Sequence, residues 1–273
     1  MGSNAFAGEP WYAGGVCTFV VLNRVRDDLP LVLAANRDEI YARPAKPPQV
    51  LVEEPRVIGG LDVSSGGTWL GVTPGGFFAG VTNQRTYTGP DPSLESRGPL
   101  VVGALELGTR EAVRAMLERL APGRYNSFNL IYGDAGGVQV AYGRREAAHV
   151  DIVEMPPGLH VLPNDRIDSP EFPKVERVRE LVEPAVHAPW PELRAALIGA
   201  LADHQQPAPD SLPPLPPGSR FAVDFVRKLH AVCIHTPNYG TRSATLLGLT
   251  PGAVAHYQFA PGPPCTTQFA DVL

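Results

Sequence analysis

This 273-residue chain has no long apolar segment, few cysteines and no excess of basic residues. No run reaches the roughly 18 apolar residues that a membrane-spanning helix needs. Residues 1–16 also lack the basic and continuous apolar regions of a signal peptide. A formal net charge of -5 gives no electrostatic footprint for nucleic acid or an anionic membrane. We therefore expect an acidic cytoplasmic protein with no nucleic-acid partner and no transmembrane segment.

The three cysteines, Cys17, Cys233 and Cys265, are too few and too widely spaced for a disulfide framework or a zinc motif. The seven histidines likewise show no metal-ligand spacing of the His-Glu-x-x-His kind. We therefore expect no metal, no cofactor and a reducing compartment. A Cys/His protease would need a histidine beside Cys17. His235 is a candidate, although the alternation of its strand does not require it.

Glycine and proline, in contrast, are abundant and divide the chain into short apolar segments. Three antiparallel hairpins are predicted from β-branched runs separated by turn residues, namely residues 17–22 with 31–39, 68–72 with 77–83, and 128–132 with 138–142. The glycines around residue 66 do not follow the spacing of a P-loop or dinucleotide fingerprint, so we interpret them as turn residues.

Helical periodicity lies mostly in the middle of the chain. Leu100–Leu120 is predicted to be helical in two pieces with Thr109 as an N-cap, and Trp190–Leu201 is another helix. A further helix starting at Ser169-Pro170 would turn four apolar residues inward, namely Phe172, Val175, Val178 and Val182. Irregular structure is expected at 41–55 and a mobile proline-rich loop at 205–218. Closing strands are expected at 229–235, 244–249 and 254–259. Strands at both ends with helices between them favour a two-sheet sandwich covered by helices.

The first hairpin is the candidate active site. Cys17 opens its first strand, and Asn36-Arg37-Asp38-Glu39 closes the second. Antiparallel pairing brings these two ends together. A sulfur nucleophile would therefore lie beside charged groups that tune its pKa.

Several motifs occur here in order, namely Cys17-Thr18, Ala-Ala-Asn-Arg-Asp-Glu-Ile-Tyr-Ala-Arg-Pro at 34–44, Gly-Gly-Thr-Trp-Leu-Gly at 66–71 and Tyr-Gly-Thr-Arg-Ser at 239–243. From about residue 17 to near 260 the chain resembles the NRDE family, also called the transport and Golgi organisation 2 family. That family is similar to N-terminal nucleophile (Ntn) hydrolases of the penicillin V acylase and bile salt hydrolase type. The resemblance implies an α+β fold, a four-layer αββα sandwich of two antiparallel sheets flanked by helices, in one domain spanning 17–273.

An Ntn hydrolase uses the α-amine of its nucleophile as the base, so the resemblance implies that Cys17 must become the N-terminus. Residues 1–16 would then be a disordered extension, a propeptide or a miscalled start. Cys17 could attack the Val16 carbonyl and release a propeptide. We favour the alternative that Val16 is a start codon read as valine, so that methionine removal exposes Cys17.

The same resemblance implies a catalytic role for each candidate residue. Each residue also has an alternative, purely structural role. Cys17 would be the nucleophile, although an isolated cysteine is more often a small buried apolar residue. Asp38 would accept a hydrogen bond from the freed amine, and Arg37 would hold the thiolate and polarise the substrate carbonyl. Glu39 would orient Arg37. The structural alternative for these charges is a solvated turn.

Further positions match the acylases less closely. Asn83 would supply an oxyanion-hole amide, and its alternative role is an ordinary asparagine at a strand end. Asn129 or Asn126 would be a second active-site asparagine. Arg242 would be a site arginine, and its alternative role is to pair with a buried carboxylate.

The resemblance therefore implies an Ntn-type cysteine amidohydrolase acting on a linear or cyclic non-peptide amide of a small-molecule substrate. The alternative is a non-catalytic protein for haem or lipid binding and trafficking, since eukaryotic members of the family are associated with haem mobilisation and Golgi homeostasis. No Cys-x-x-Cys-His haem attachment motif is present.

Overall fold

The computed structural model describes residues 17–85, 90–212 and 223–273. These residues form five α-helices and thirteen β-strands. The helices are α1 (Gly98–Leu107), α2 (Arg110–Glu118), α3 (Lys174–Val182), α4 (Trp190–Leu201) and α5 (Val223–Leu229). The strands are β1 (Thr18–Asn23), β2 (Leu31–Ile40), β3 (Ala45–Val52), β4 (Val57–Asp62), β5 (Leu70–Val72), β6 (Phe78–Asn83), β7 (Phe128–Asp134), β8 (Gly137–Gly143), β9 (Asp151–Glu154), β10 (Gly158–Leu162), β11 (Tyr239–Thr250), β12 (Ala253–Ala260) and β13 (Ala270–Asp271).

The strands form two antiparallel sheets. The six-stranded sheet has the order β10-β1-β2-β11-β12-β13, and the seven-stranded sheet has the order β3-β4-β5-β6-β7-β8-β9. All three predicted hairpins are confirmed as β1-β2, β5-β6 and β7-β8.

Alternation along β1 shows how the layers are built. Phe19 and Val21 point into the core between the two sheets. Val20 and Leu22 point the other way, into a core with α3 and α4. On the far side, α1 and α2 cover the outer face of the seven-stranded sheet. Because side chains alternate along a strand, both sheets are buried on both faces. The layer order is therefore αββα, and the predicted fold is confirmed.

The helix boundaries follow from their caps. The Thr109 side chain accepts a hydrogen bond from the Ala112 N–H at 3.2 Å and starts α2. Gly108 ends α1 in the left-handed region with φ 65°. The two-piece helix predicted for Leu100–Leu120 is therefore confirmed. The inward face predicted for the helix beginning near Ser169 is also confirmed, although α3 starts at Lys174.

Two sequence-based expectations were wrong. Residues 41–55 are not irregular, because β3 occupies most of them. Its two prolines, Pro47 and Pro48, fall at a register shift, and β3 is an edge strand of its sheet. At such a position the missing N–H of proline removes few hydrogen bonds between strands. Residues 229–235 are not a strand. The short apolar run there is divided between the end of α5 and an irregular segment, since such runs do not distinguish helix from strand by periodicity.

The other closing strands are confirmed as β11 and β12. Residues 205–212 contain a single 3-10 turn, Pro209–Ser211, and the rest of the predicted proline-rich loop lies outside the described residues. The predicted extension at 1–16 also lies outside them. Among the helices of the described ranges, none is long and apolar enough to cross a membrane.

Candidate active site

The β1-β2 register brings the predicted nucleophile to its predicted neighbour. Thr18 lies opposite Asn36, so the next position along the ladder sets Cys17 beside Arg37. On the other edge of β2, Thr241 of β11 lies opposite Asp38. β1 is therefore an interior strand of the six-stranded sheet, with β10 on one side and β2 on the other.

The alternation of β2 divides its polar end between two faces. Arg37 and Glu39 follow Leu33 and Ala35 towards the seven-stranded sheet. Asn36 points the opposite way, and its Nδ2 donates to two main-chain carbonyls on the helix side, at 2.8 and 2.9 Å. Asp38 shares the face of Asn36. The guanidinium and the aspartate carboxylate therefore flank Cys17 from opposite sides of the strand.

Aromatic and acidic groups hold Arg37 in position. Its guanidinium carbon lies 4.5 Å from the centre of the Trp69 ring. Its Nη2 lies 3.9 Å from a Glu39 carboxylate oxygen and 4.0 Å from one of Asp62. Arg43 shares these carboxylates and donates to Asp62 at 2.8 Å. Arg37 is only 5% exposed, so its charge acts in a poorly solvated setting.

A cleft opens above these groups, with an empty volume of about 590 Å³ that includes open solvent. Asn83 lines it from the end of β6, and Asn164 fixes the Asn83 main-chain carbonyl with a hydrogen bond of 2.7 Å. Arg97 lines it from the start of α1. Burial lowers the pKa of Arg97, and the Glu39 carboxylate opposes that shift. Cys17, Arg37, Asp38 and Asn83 are thus brought to one cleft.

The Cys17 thiol is buried and is almost entirely protonated at neutral pH. Burial raises its pKa to about 12, with a further contribution from the Asp38 carboxylate. The Asp38 main-chain N–H and the Arg37 charge act in the opposite direction but do not overcome burial. While the Cys17 nitrogen is part of a peptide bond, the thiolate needed for attack is therefore rare at neutral pH.

Asp38 is fully buried, and within the described residues only one of its two carboxylate oxygens accepts a hydrogen bond. Its Oδ1 accepts a hydrogen bond of 2.5 Å from the Thr241 hydroxyl. Its Oδ2 has no hydrogen-bond partner among the described residues. Burial raises the pKa of the Asp38 carboxyl to about 7, while the Lys174 charge opposes that shift. The site thus contains a buried acceptor atom that lacks a donor.

Lys174 is a buried charged neighbour of Asp38 and Cys17 that does not line the cleft and that was not predicted from the sequence. It begins α3, is 2% exposed, and its Nζ lies 3.5 Å from the Thr18 hydroxyl. Burial lowers its pKa to about 8, against the attraction of Asp38 and Cys17. A signal was present in the sequence, because Lys174 precedes the inward-facing Val178 by four residues and so shares its helix face. Trp69, Arg43, Asp62 and Arg97 were missed as site residues.

Three predicted residues do not line the described cleft. Asn129 is buried, and its Nδ2 donates to the Thr82 hydroxyl of β6 and to the Asp165 carbonyl after β10, both at 2.9 Å. Asn126 donates to the Asp91 carbonyl at 2.9 Å. Arg242 lies at the irregularity in β11, and its guanidinium contacts the main-chain carbonyls of residues 40 and 41. In this structure all three connect segments of the fold.

Comparison with known sequences supports the motifs described above. The family described as Transport and Golgi organisation 2 matches residues 16–257. The human Transport and Golgi organization protein 2 homolog is 32% identical over 231 residues, covering 80% of this chain and 81% of the human protein. The mouse homolog is 31% identical over 232 residues, with the same coverage.

Comparison with solved structures supports the fold. The N-acylethanolamine-hydrolyzing acid amidase ortholog of Caenorhabditis elegans aligns with a TM-score of 0.50 and 10% identity, covering 85% of this chain and 92% of that one. A variant of the conjugated bile acid hydrolase from Clostridium perfringens aligns with a TM-score of 0.50 and 13% identity, covering 93% and 92%. At these identities the comparison concerns the fold alone.

Proposed function

Because the chain belongs to the Transport and Golgi organisation 2 family and has the fold of Ntn hydrolases, we propose that it is a cysteine amidohydrolase. Cys17 is its nucleophile once exposed as the N-terminal residue. The substrate is a small molecule with a non-peptide amide bond. The two structural relatives named above are a hydrolase of conjugated bile acids and an amidase of N-acylethanolamines, which suggests N-acyl compounds as the first substrates to test.

The unpartnered Oδ2 of Asp38 carries this proposal. An α-ammonium group at Cys17 would be a buried cation beside a buried carboxylate with a free acceptor atom. A hydrogen bond between them would satisfy the acceptor and hold the amine in place. An amide nitrogen at Cys17 cannot act as a base, because its lone pair is delocalised into the carbonyl. The site is therefore complete only in a chain that begins at Cys17.

In the proposed reaction, the Cys17 α-amine takes the thiol proton and the sulfur attacks the amide carbonyl carbon. The tetrahedral intermediate carries its negative charge on the former carbonyl oxygen, where Asn83 donates a hydrogen bond. The amine then returns the proton to the leaving nitrogen, and a thioester with Cys17 remains. Water, deprotonated by the same amine, hydrolyses the thioester and restores the thiol. Arg37 stabilises the thiolate before attack.

The test uses a chain that begins at Cys17, produced by methionine removal from a Met-Cys17 start and verified by intact mass. It is incubated with a panel of N-acyl amides. We expect amide hydrolysis and an acyl adduct on the Cys17 peptide. Cys17→Ala should abolish both. Asp38→Asn should retain the thiol but lower kcat/KM by about 10²-fold or more, since the amine loses its carboxylate partner.

Cys233 and Cys265 serve as internal controls, because an acyl group found on them in equal amount would show only non-specific acylation. Absence of hydrolysis and of an adduct in a chain verified to begin at Cys17 would contradict the proposal. That result would favour the haem or lipid binding alternative instead.

A further inference from the structure

Four potential metal ligands meet at a second place in the fold, formed by His204, Cys233, His235 and Cys265. One donor atom from each lies within 4.8 Å of the donor atoms of the other three. His204 follows α4, Cys233 and His235 lie in the segment between α5 and β11, and Cys265 lies in the loop after β12. Three segments that are far apart in sequence thus converge, which explains why ligand spacing gave no metal motif.

The distances within the cluster match those of a tetrahedral zinc site. The two sulfurs are 3.8 Å apart. The His235 Nε2 lies 3.7 Å from the Cys233 sulfur and 3.3 Å from the Cys265 sulfur. Zinc bonds of about 2.3 Å to sulfur and about 2.0–2.1 Å to nitrogen give tetrahedral edges of about 3.8 Å between sulfurs and about 3.6 Å between sulfur and nitrogen. The measured separations therefore leave room for one zinc ion among the three groups.

His204 can supply the fourth ligand. Its Nδ1 lies 3.1 Å from the Cys233 carbonyl oxygen, which can only accept a hydrogen bond. The proton is therefore on Nδ1, and Nε2 keeps a lone pair. Metal-binding histidines commonly fix their tautomer by such a bond to a main-chain carbonyl. The rings of His204 and His235 lie with their centres 5.0 Å apart, so they flank the same space.

We propose that His204, Cys233, His235 and Cys265 form a structural zinc site that is separate from the candidate active site. Two thiolates and two imidazoles are a ligand set that zinc favours, and four protein ligands leave no open position for catalysis. The zinc ion would join the end of α4, the segment before β11 and the loop after β12. This inference does not depend on the proposed amidohydrolase activity.

The zinc site would also position the Asp38 side chain. Ile234 lies between two of the ligands, and its N–H donates to the Thr241 hydroxyl at 2.9 Å. That hydroxyl in turn donates to Asp38. Fixing Cys233 and His235 to a metal therefore fixes the hydrogen-bond chain that ends at the buried carboxylate.

The test is to strip the purified full chain with a chelator under reducing conditions and to add zinc. We expect about one zinc per chain by elemental analysis. At free zinc about 100-fold above the Kd, Tm should rise by roughly 5–10 °C. Cobalt in place of zinc should give the thiolate charge-transfer and tetrahedral ligand-field absorption bands. Cys265→Ser and His235→Gln should lose most of the bound metal and the Tm rise.

Matched controls separate the site from general metal binding. Cys17→Ser and His187→Gln remove a thiol and an exposed imidazole outside the cluster, and both should keep the full zinc content. The circular dichroism of the metal-free variants should match that of the metal-free parent. Equal zinc content in all four variants, or no zinc bound by the parent, would overturn the proposal. A Cys233–Cys265 disulfide found by mass spectrometry in chain purified without chelator would do so as well.

Discussion

Exposure of the Cys17 amine should make its thiol far more reactive. Burial holds the thiol pKa at about 12 in the chain whose Cys17 nitrogen is acylated. At pH 8 the thiolate fraction is then on the order of 10⁻⁴. An α-ammonium about 4 Å from the sulfur would favour the thiolate by about 4 kcal/mol at an effective dielectric constant near 20. That is about three pKa units, so the thiol pKa should fall to near 9.

The assay is the pH dependence of alkylation by iodoacetamide, followed on the Cys17 peptide by mass spectrometry so that Cys233 and Cys265 are scored separately. At pH 8 we expect the Cys17 rate to rise by about 10²- to 10³-fold in a chain that begins at Cys17. The Asp38 carboxylate should stabilise the ammonium that forms when the amine takes the thiol proton. Asp38→Asn in the same chain should remove part of the gain.

The matched control adds one alanine before Cys17, so that a free amine is present but the Cys17 nitrogen is an amide. Its alkylation profile should resemble that of the longer chain. Equal profiles for the Cys17 and Ala-Cys17 chains would refute the reasoning, because the adjacent charge would then have no effect on the thiol.

Three further predictions concern stability and can be measured by urea unfolding. Asn36→Ala leaves two buried carbonyls without their donor and should cost about 2–4 kcal/mol; a cost below 1 kcal/mol would mean that water replaces the amide. Leu117→Ala empties a fully buried position of α2 and should cost about 2–5 kcal/mol, whereas the exposed Leu107→Ala should stay within about 0.5 kcal/mol; equal costs would contradict the assigned core. The folded-state pKa of Lys174, about 8, lies below its usual 10.5, so the folded chain binds fewer protons between these values and gains stability as pH rises. The stability of wild type relative to Lys174→Met should therefore increase by roughly 1–2 kcal/mol from pH 8 to 10, and a constant difference would show that Lys174 titrates normally.

Local patterns in the sequence predicted the parts of the site that depend on neighbours in one hairpin. β-Branched runs on either side of a polar turn were enough to pair Cys17 with the end of β2. The contacts of Asp38 could not be predicted in this way. Its partner Thr241 is 203 residues away, and Lys174 reaches the site from a helix on the other face of the sheet. Such contacts depend on tertiary packing, which periodicity does not encode.

The errors in strand prediction have a similar cause. Prolines usually argue against a strand because they cannot donate a hydrogen bond to a neighbouring strand. β3 tolerates its prolines because it lies at the edge of its sheet, and edge position is a property of the whole sheet. The cluster of His204, Cys233, His235 and Cys265 was missed because its ligands come from three segments and follow no short spacing. The resemblance to the acylases pointed to Arg242 and to Asn129 or Asn126, whereas the side chains of Asn129 and Arg242 join other parts of the fold.

The two sheets differ in how far apart in sequence their strands lie, and this difference bears on folding. The seven-stranded sheet and its two helices come from one continuous stretch, 45–154, so its pairings close short loops. The six-stranded sheet joins residues 18–40 to residues 239–271, through the pairing of β2 with β11. Closing so long a loop is entropically costly and slow. We therefore expect the seven-stranded sheet to gain hydrogen-exchange protection first, and the Cys17 site to be among the last regions to form.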